Sequence, residues 1–145
     1  MLSARLVRTI EQHAEQLTRE VVADLRQNPR TPAYHALPAE ELRLRAHNVY
    51  SNLGGWIGEK DESAIVSSYT ALGQTRHAEG IPLSEVVFAL MRLREHLREY
   101  VSKTAVSQSA VELYQEEELN LLIDRFFDKA IYHTVRGYET APATR

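Results

Sequence analysis

Val7, Ile10, Ala14, Leu17, Val21 and Leu25 recur at steps of three and four residues, so a helix between Ser3 and Asn28 would carry one apolar face. Asn28-Pro29 ends it, because a proline disfavours the helical conformation in the residue before it. The stretch PRTPAYHALP that follows is rich in proline and reads as a loop. Pro38 suits a first helical position, with Glu40 and Glu41 at the positive end of the helix dipole. Leu42, Ala46, Val49, Leu53, Trp56 and Ile57 form the stripe of this second helix, which Gly54-Gly55 weakens near its end. Residues 58–62 read as a short turn.

A third helix is expected from Glu62 to His77 with Ile65, Val66, Tyr69 and Leu72 inward, broken by Gly80 and Pro82. Ser84 is the predicted N-cap of a fourth, whose stripe is Val86, Ala89, Leu90, Leu93, Leu97, Tyr100 and Val101. Polar residues from Ser102 to Ser109 end that helix. Ser109-Ala110-Val111-Glu112 is a capping box, and the fifth helix it opens should reach Tyr138, about 45 Å at 1.5 Å per residue. No credible strand is found. Five amphipathic helices with short connections bury their stripes only against one another, so the fold is predicted all-α, a five-helix bundle or a globin-like stack. Residues 1–139 are taken as one domain and 140–145 as a tail or linker.

Composition narrows the work such a domain can do. The 145 residues are 43% apolar and 26% charged with a net charge of −3, an ordinary globular balance without the basic excess of a nucleic-acid binder. Cysteine is absent, which removes disulfides, thiolate metal sites and cysteine nucleophiles and fits a reducing compartment. The start, MLSARLVRTIEQHAEQ, is charged from Arg5 onward and lacks the apolar core of a signal peptide. No run of apolar residues is long enough to span a membrane.

Candidate chemistry centres on RHAEGIPLSEVVFALMRLREH, Arg76 to His96. None of the histidines has a glutamate three residues before it, and HExxH and HxxxH are absent, so no metal site is expected. Haem is the sharper alternative, with His77 at a helix end, or His96 or His13 beside an apolar stripe, as the axial ligand. Arg76, Arg92, Arg94 and Arg98 suggest either an anion site or pairs with Glu79, Glu95 and Glu99 on a solvated face. Arg76, His77, Arg92 and His96 are therefore the candidate ligand-binding residues. His133-Thr134-Val135-Arg136-Gly137 is similar to the core of histidine phosphotransfer bundles, making His133 a phosphotransfer candidate. Its place so near the last helix end favours a simpler reading, in which Lys129, His133 and Arg136 complement the dipole and Gly137 lies near the stop. No serine-hydrolase motif or phosphate loop is present, the acidic pairs Glu40-Glu41 and Glu116-Glu117-Glu118 read as solvated faces, and Trp56 reads as core. No catalytic residue is named.

Longer strings carry a resemblance. RHAEGIPLSEVVFAL followed by RLREHL, FFDKAIYHTVRGYE near the end, and AEELRLRA before Trp56 resemble the N-terminal domain family of RsbR-type co-antagonists, over about Leu6 to Glu139. The resemblance implies a cytoplasmic, non-enzymatic, globin-like input domain of stressosome or two-component signalling, dimeric and without haem. It also implies an effector in longer relatives: a STAS domain, whose phosphorylated threonines do the signalling, or a kinase. Neither effector lies within these residues, so those functional positions are not carried over. Leu17, Leu119, Leu122 and Phe126, on the first and last helices, are the expected core or dimer contacts.

Overall fold

A computed structural model describes residues 4–58, 62–104 and 109–143. They form an all-α bundle of seven α-helices and one 3-10 turn, with no strand among the described residues. The expected stripes are its core, but two of the expected helices are each broken in two. The first divides into α1 (Ala4–Gln12) and α2 (Ala14–Leu25) at His13, whose φ of −106° and ψ of 17° leave the helical region. The His13 ring explains the break: its Nδ1–H donates to the Thr9 carbonyl at 2.8 Å, competing with the backbone ladder. The apolar face survives, and Val7, Ile10, Ala14, Leu17, Val21 and Leu25 are all buried.

The proline-rich loop holds the 3-10 turn Pro32–His35 and buries Tyr34. Pro38 is the N-cap of α3 (Ala39–Ser51), one place earlier than expected, and its carbonyl accepts the N–H groups of Glu41 and Leu42. Asn52 interrupts the second predicted helix and α4 (Leu53–Gly58) follows. Most of the predicted turn at 58–62 lies outside the described residues. Helix α5 (Ser63–Ala78) closes in a Schellman turn: Gly80 N–H bonds to the His77 carbonyl and Ile81 N–H to that of Arg76, and Gly80 takes a φ of +74° that suits glycine. Val66, expected inward, is 37% exposed, because the buried side of α5 runs through Ile65, Tyr69, Leu72, Gly73 and Arg76.

Helix α6 (Leu83–Thr104) begins before Ser84, and the Pro82 carbonyl rather than a serine hydroxyl receives its first N–H groups. Ser109 is the N-cap as read, its Oγ accepting the Glu112 N–H at 3.1 Å, and α7 runs from Ala110 to Glu139. No helix among the described residues is long and apolar enough to cross a membrane.

The tightest crossing sets α5 against α7. A methyl group added at Gly73 would stand 2.1 Å from the Thr134 carbonyl oxygen, and one at Gly137 would stand 2.2 Å from that of Thr70. The two backbones therefore touch through reciprocal glycines, where only a hydrogen fits. Gly137 lies just before the end of α7, as expected, and is buried there. Nearby, Thr134 is fully buried and turns its hydroxyl back to the Ala130 carbonyl at 2.7 Å, so no polar group is stranded at the contact. Beside the crossing Trp56, Tyr69, Phe126 and Phe127 form a chain of ring contacts 5.0–6.0 Å apart. Trp56 itself is half-buried at the core margin.

Gly137→Ala is expected to cost about 3 kcal/mol of stability, because the clash is with backbone that has no rotamer to change. Gly55, also helical, has open space around its missing side chain, and Gly55→Ala should raise stability by about 0.5–1 kcal/mol. Urea unfolding of both variants checks the pair; an unchanged midpoint for Gly137→Ala would contradict the crossing.

Candidate functional site

Three features stand apart from ordinary helix packing. The first lies where α3, α5 and the 3-10 turn meet. Arg76 projects from the last turn of α5 and is only 2% exposed. Its Nη1 donates to Glu79 Oε1 at 2.8 Å and its Nη2 to Glu41 Oε1 at 3.0 Å, while its guanidinium lies over the Tyr34 ring, 5.3 Å from the centroid. Glu41 also accepts from Arg45, making an alternating chain of charges. Burial works against the Arg76 charge, but Tyr34, Glu79 and Glu41 outweigh it and hold its pKa above the ordinary arginine value. Burial pushes the Tyr34 hydroxyl up to about 12, so it is neutral at physiological pH. Arg76 Nε is buried with no acceptor. The same side chain forms part of the wall of a mainly aliphatic cavity of about 40 Å³ between α2, α3, α5 and α6.

The second feature is a polar node on Asp24 of α2. Its carboxylate accepts from Arg92 Nε at 2.7 Å and from Asn28 Nδ2 at 3.0 Å, and His96 Nε2 lies 2.8 Å from it. Arg92 and His96 stand one turn apart on α6, so the node ties α2 to α6. Burial alone would raise the Asp24 pKa; the bonds from Asn28, His96 and Arg92 more than offset it, and the carboxyl sits below its ordinary value of 3.8.

The third feature is the outward face of α7, which leaves Tyr114, Leu121 and Tyr132 49–63% exposed. Leu122 is half-buried at the edge of this face, while Leu17, Leu119 and Phe126 belong to the core.

The candidate ligand residues therefore divide between two separate places. Arg76 reaches the cavity; Arg92 and His96 serve the Asp24 node; His77 packs edge-on against Tyr138 at 5.0 Å, with its Nδ1 buried and unpartnered. Neither His77 nor His96 lines this cavity or the larger open hollow of about 370 Å³ beside Trp56 and Tyr69, so neither is placed to ligate a haem in these spaces. His133 is half-exposed and its ring leans on neighbouring Tyr132 at 5.1 Å. Among the described residues, no three histidine or carboxylate side chains converge as a metal site.

The arginine partners also differ from those expected. Arg76 does pair with Glu79, but Arg92 pairs with Asp24, Arg94 with Asp128 and Arg98 with Asp124, all on other helices. Glu41 is not a merely solvated acid, since it bridges Arg45 and Arg76. Glu85 was invisible as a polar tie: it is buried and accepts the Ala33 N–H at 2.8 Å, anchoring the 3-10 turn to α6.

Compared with known families, residues 6–144 match the RsbT co-antagonist protein rsbRD N-terminal domain. The chain belongs to that family. Neither a search of curated proteins nor one of solved structures returned a match. The RsbRD N-terminal domains are regulatory sensor domains of stressosome signalling rather than enzymes. This member uses its buried charges to join helices: α2 to α6 through Asp24, and α3 to α5 through Arg76.

The Asp24 node has a pH signature. A carboxylate with a lowered folded-state pKa adds stability above its unfolded value, and that stability is lost as the pH falls through the lower folded value. Asp24→Asn should cost about 1–2 kcal/mol at pH 5, as hydrogen bonds to a charged group are lost. The gap between wild type and variant should close below pH 3.8. Thermal unfolding at pH 5 and pH 3 reads this directly, and a gap that widened in acid would contradict the assignment.

Proposed function

We propose that this RsbRD N-terminal domain is a cytoplasmic, non-catalytic input module that works as a homodimer. In this reading it passes a change of packing along α7 to an effector, of the STAS or kinase type in longer relatives. The observation that carries the proposal is the outward face of α7. At 3.6 residues per turn, Tyr114, Leu121 and Tyr132 fall within about 20° of one line. Apolar side chains aligned on the solvent side of a long helix suit a contact with another protein.

Charge favours a second copy of this chain as the occupant. Glu118 and Arg125 flank Leu121 and Leu122 at equal distances along the helix, and neither has an ion-pair partner among the described residues. When two α7 helices pack antiparallel about a twofold axis between Leu121 and Leu122, each Glu118 meets Arg125 of the partner subunit. Parallel packing would bring like charges together instead.

Sedimentation velocity at tens of micromolar protein tests the dimer. Wild type is expected as a dimer, and Leu121→Glu as a monomer with unchanged helix content. Glu118→Arg alone should weaken association at least tenfold, and Glu118→Arg combined with Arg125→Glu should restore it. Wild type that stays monomeric at high micromolar concentration, or a charge swap that restores nothing, would overturn the antiparallel dimer.

A further inference from the structure

We propose that the open hollow between α3, α4, α5 and α6 is a binding site for an aromatic monocarboxylate, its ring against Trp56 and Tyr69 and its carboxylate on Arg45. The hollow has a volume of about 370 Å³. That exceeds the roughly 150 Å³ that holds a benzene ring and falls in the roughly 300–1,000 Å³ range of small-molecule sites. Val49, Leu72, Leu90 and Leu93 form its floor, each less than a tenth exposed. Arg45, Leu72, Leu90 and Leu93 also border the narrow cavity beside Arg76, so the two spaces adjoin. Nothing in the site requires the ligand to enter the narrow one.

The ligand class follows from the groups left without partners. Tyr69 is only 6% exposed, yet its hydroxyl has no hydrogen-bond partner among the described residues and is not sealed from solvent. Buried tyrosine hydroxyls usually find a partner, as those of Tyr50 and Tyr138 do on the Leu93 and Ile81 carbonyls. Burial raises the Tyr69 pKa, so its hydroxyl keeps a proton to donate, and Arg45 is the charge that acts on it. Arg45 is also the only charged residue among those described as lining the hollow. Its Nε is held by Glu41, while its two terminal nitrogens have no acceptor among the described residues. Arg45 is thus the positive end of a row, Glu79, Arg76, Glu41 and Arg45, whose charges alternate. A carboxylate on the free edge of Arg45 would continue the alternation and offer Tyr69 the acceptor it lacks. Charge-assisted bonds from a guanidinium to a carboxylate are among the strongest in proteins, whereas a neutral ligand leaves them unmade and a cation is repelled. The aromatic body is set by Trp56, which is half-buried and packs on Tyr69 at 6.0 Å and Phe126 at 5.5 Å. A further ring in the hollow would extend that cluster, since ring pairs are favoured at centroid spacings of about 4.5–7 Å.

Trp56 is the single tryptophan of the chain, so its emission reports on this hollow. The probe is para-tert-butylbenzoate, titrated into the full wild-type chain at neutral pH with excitation at the red edge of tryptophan absorption, where the probe is transparent. Its amide, para-tert-butylbenzamide, has the same shape without the charge. A saturable change in emission is expected, with a midpoint for the benzoate about tenfold below that for the amide. Arg45→Gln should bring the two midpoints together, and Tyr69→Phe should weaken benzoate binding severalfold, both with unchanged helix content by circular dichroism. Emission that drifts linearly through the millimolar range would overturn the site. Equal midpoints for benzoate and amide on wild type would overturn the ligand class, and that comparison stands even where a variant fails to fold. A benzoate preference that survives Arg45→Gln would overturn the role of Arg45. The hollow shares no residue with the outward line of α7, and the site does not rest on the dimer, so failure of one and failure of the other are told apart.

Discussion

The contact of α5 with α7 through Gly73 and Gly137 is the constraint on which the rest of the bundle depends. Where two backbones touch without side chains between them, neither helix turns or slides without a clash, because protein interiors are packed as tightly as organic crystals. That fixes which side of α7 is buried: Leu119, Ile123, Phe126, Phe127, Ala130, Thr134 and Gly137 all face the bundle. The same contact places the end of α5, where the Tyr138 hydroxyl donates to the Ile81 carbonyl at 2.6 Å and ties α7 to the turn leading into α6. The outward line of Tyr114, Leu121 and Tyr132 is the complement of that choice.

The other helix contacts are of a different kind. Helix α2 meets α6 through the Asp24 node, α3 meets α5 through Glu41 and Arg76, and α6 meets α7 through Arg94–Asp128 and Arg98–Asp124. The partly exposed α6–α7 pairs exchange partners with water at modest cost, whereas the buried Arg76 pair and the glycine crossing do not. The cavity lies among these same helices, where packing is incomplete. The molecule thus has a stiff side, α5 with α7, and an adaptable side formed by α2, α3 and α6.

The division explains what the sequence allowed to be read. Apolar spacing located nearly every core position, because burial of a helical face needs only local periodicity; Ser109 with Glu112 likewise announced its cap within four residues. The breaks at His13 and Asn52 were missed because they turn on a side chain competing for one carbonyl, which leaves the apolar spacing intact. Arg76–Glu79 was within local reach, but the cross-helix partners of Arg76 and Arg92 were not. Asp24 lies 68 residues from Arg92, and Glu41 lies 35 from Arg76, so no local spacing rule links them. Gly137 was legible as lying near the end of α7, where it is, but not as a contact. A glycine near a helix end is a good stop signal, and only the arrival of Thr70 from another helix shows that it is a packing residue.

A regulatory domain needs two packings close in energy and a ligand that prefers one, since a ligand shifts an equilibrium only by its differential affinity. Stiffness and softness are arranged here to use such a preference. Arg76 stands one turn from Gly73 on the same side of α5, so the residue that meets the cavity and the residue that meets α7 share one rigid rod. A shift of Arg76 would loosen its contacts with Glu41 and Tyr34 at the cost of a buried ion pair. The glycine crossing would not yield, so α5 and α7 would move together against α2, α3 and α6. The outward face of α7 would then change its position as a unit, and a partner packed on Leu121 would register the change.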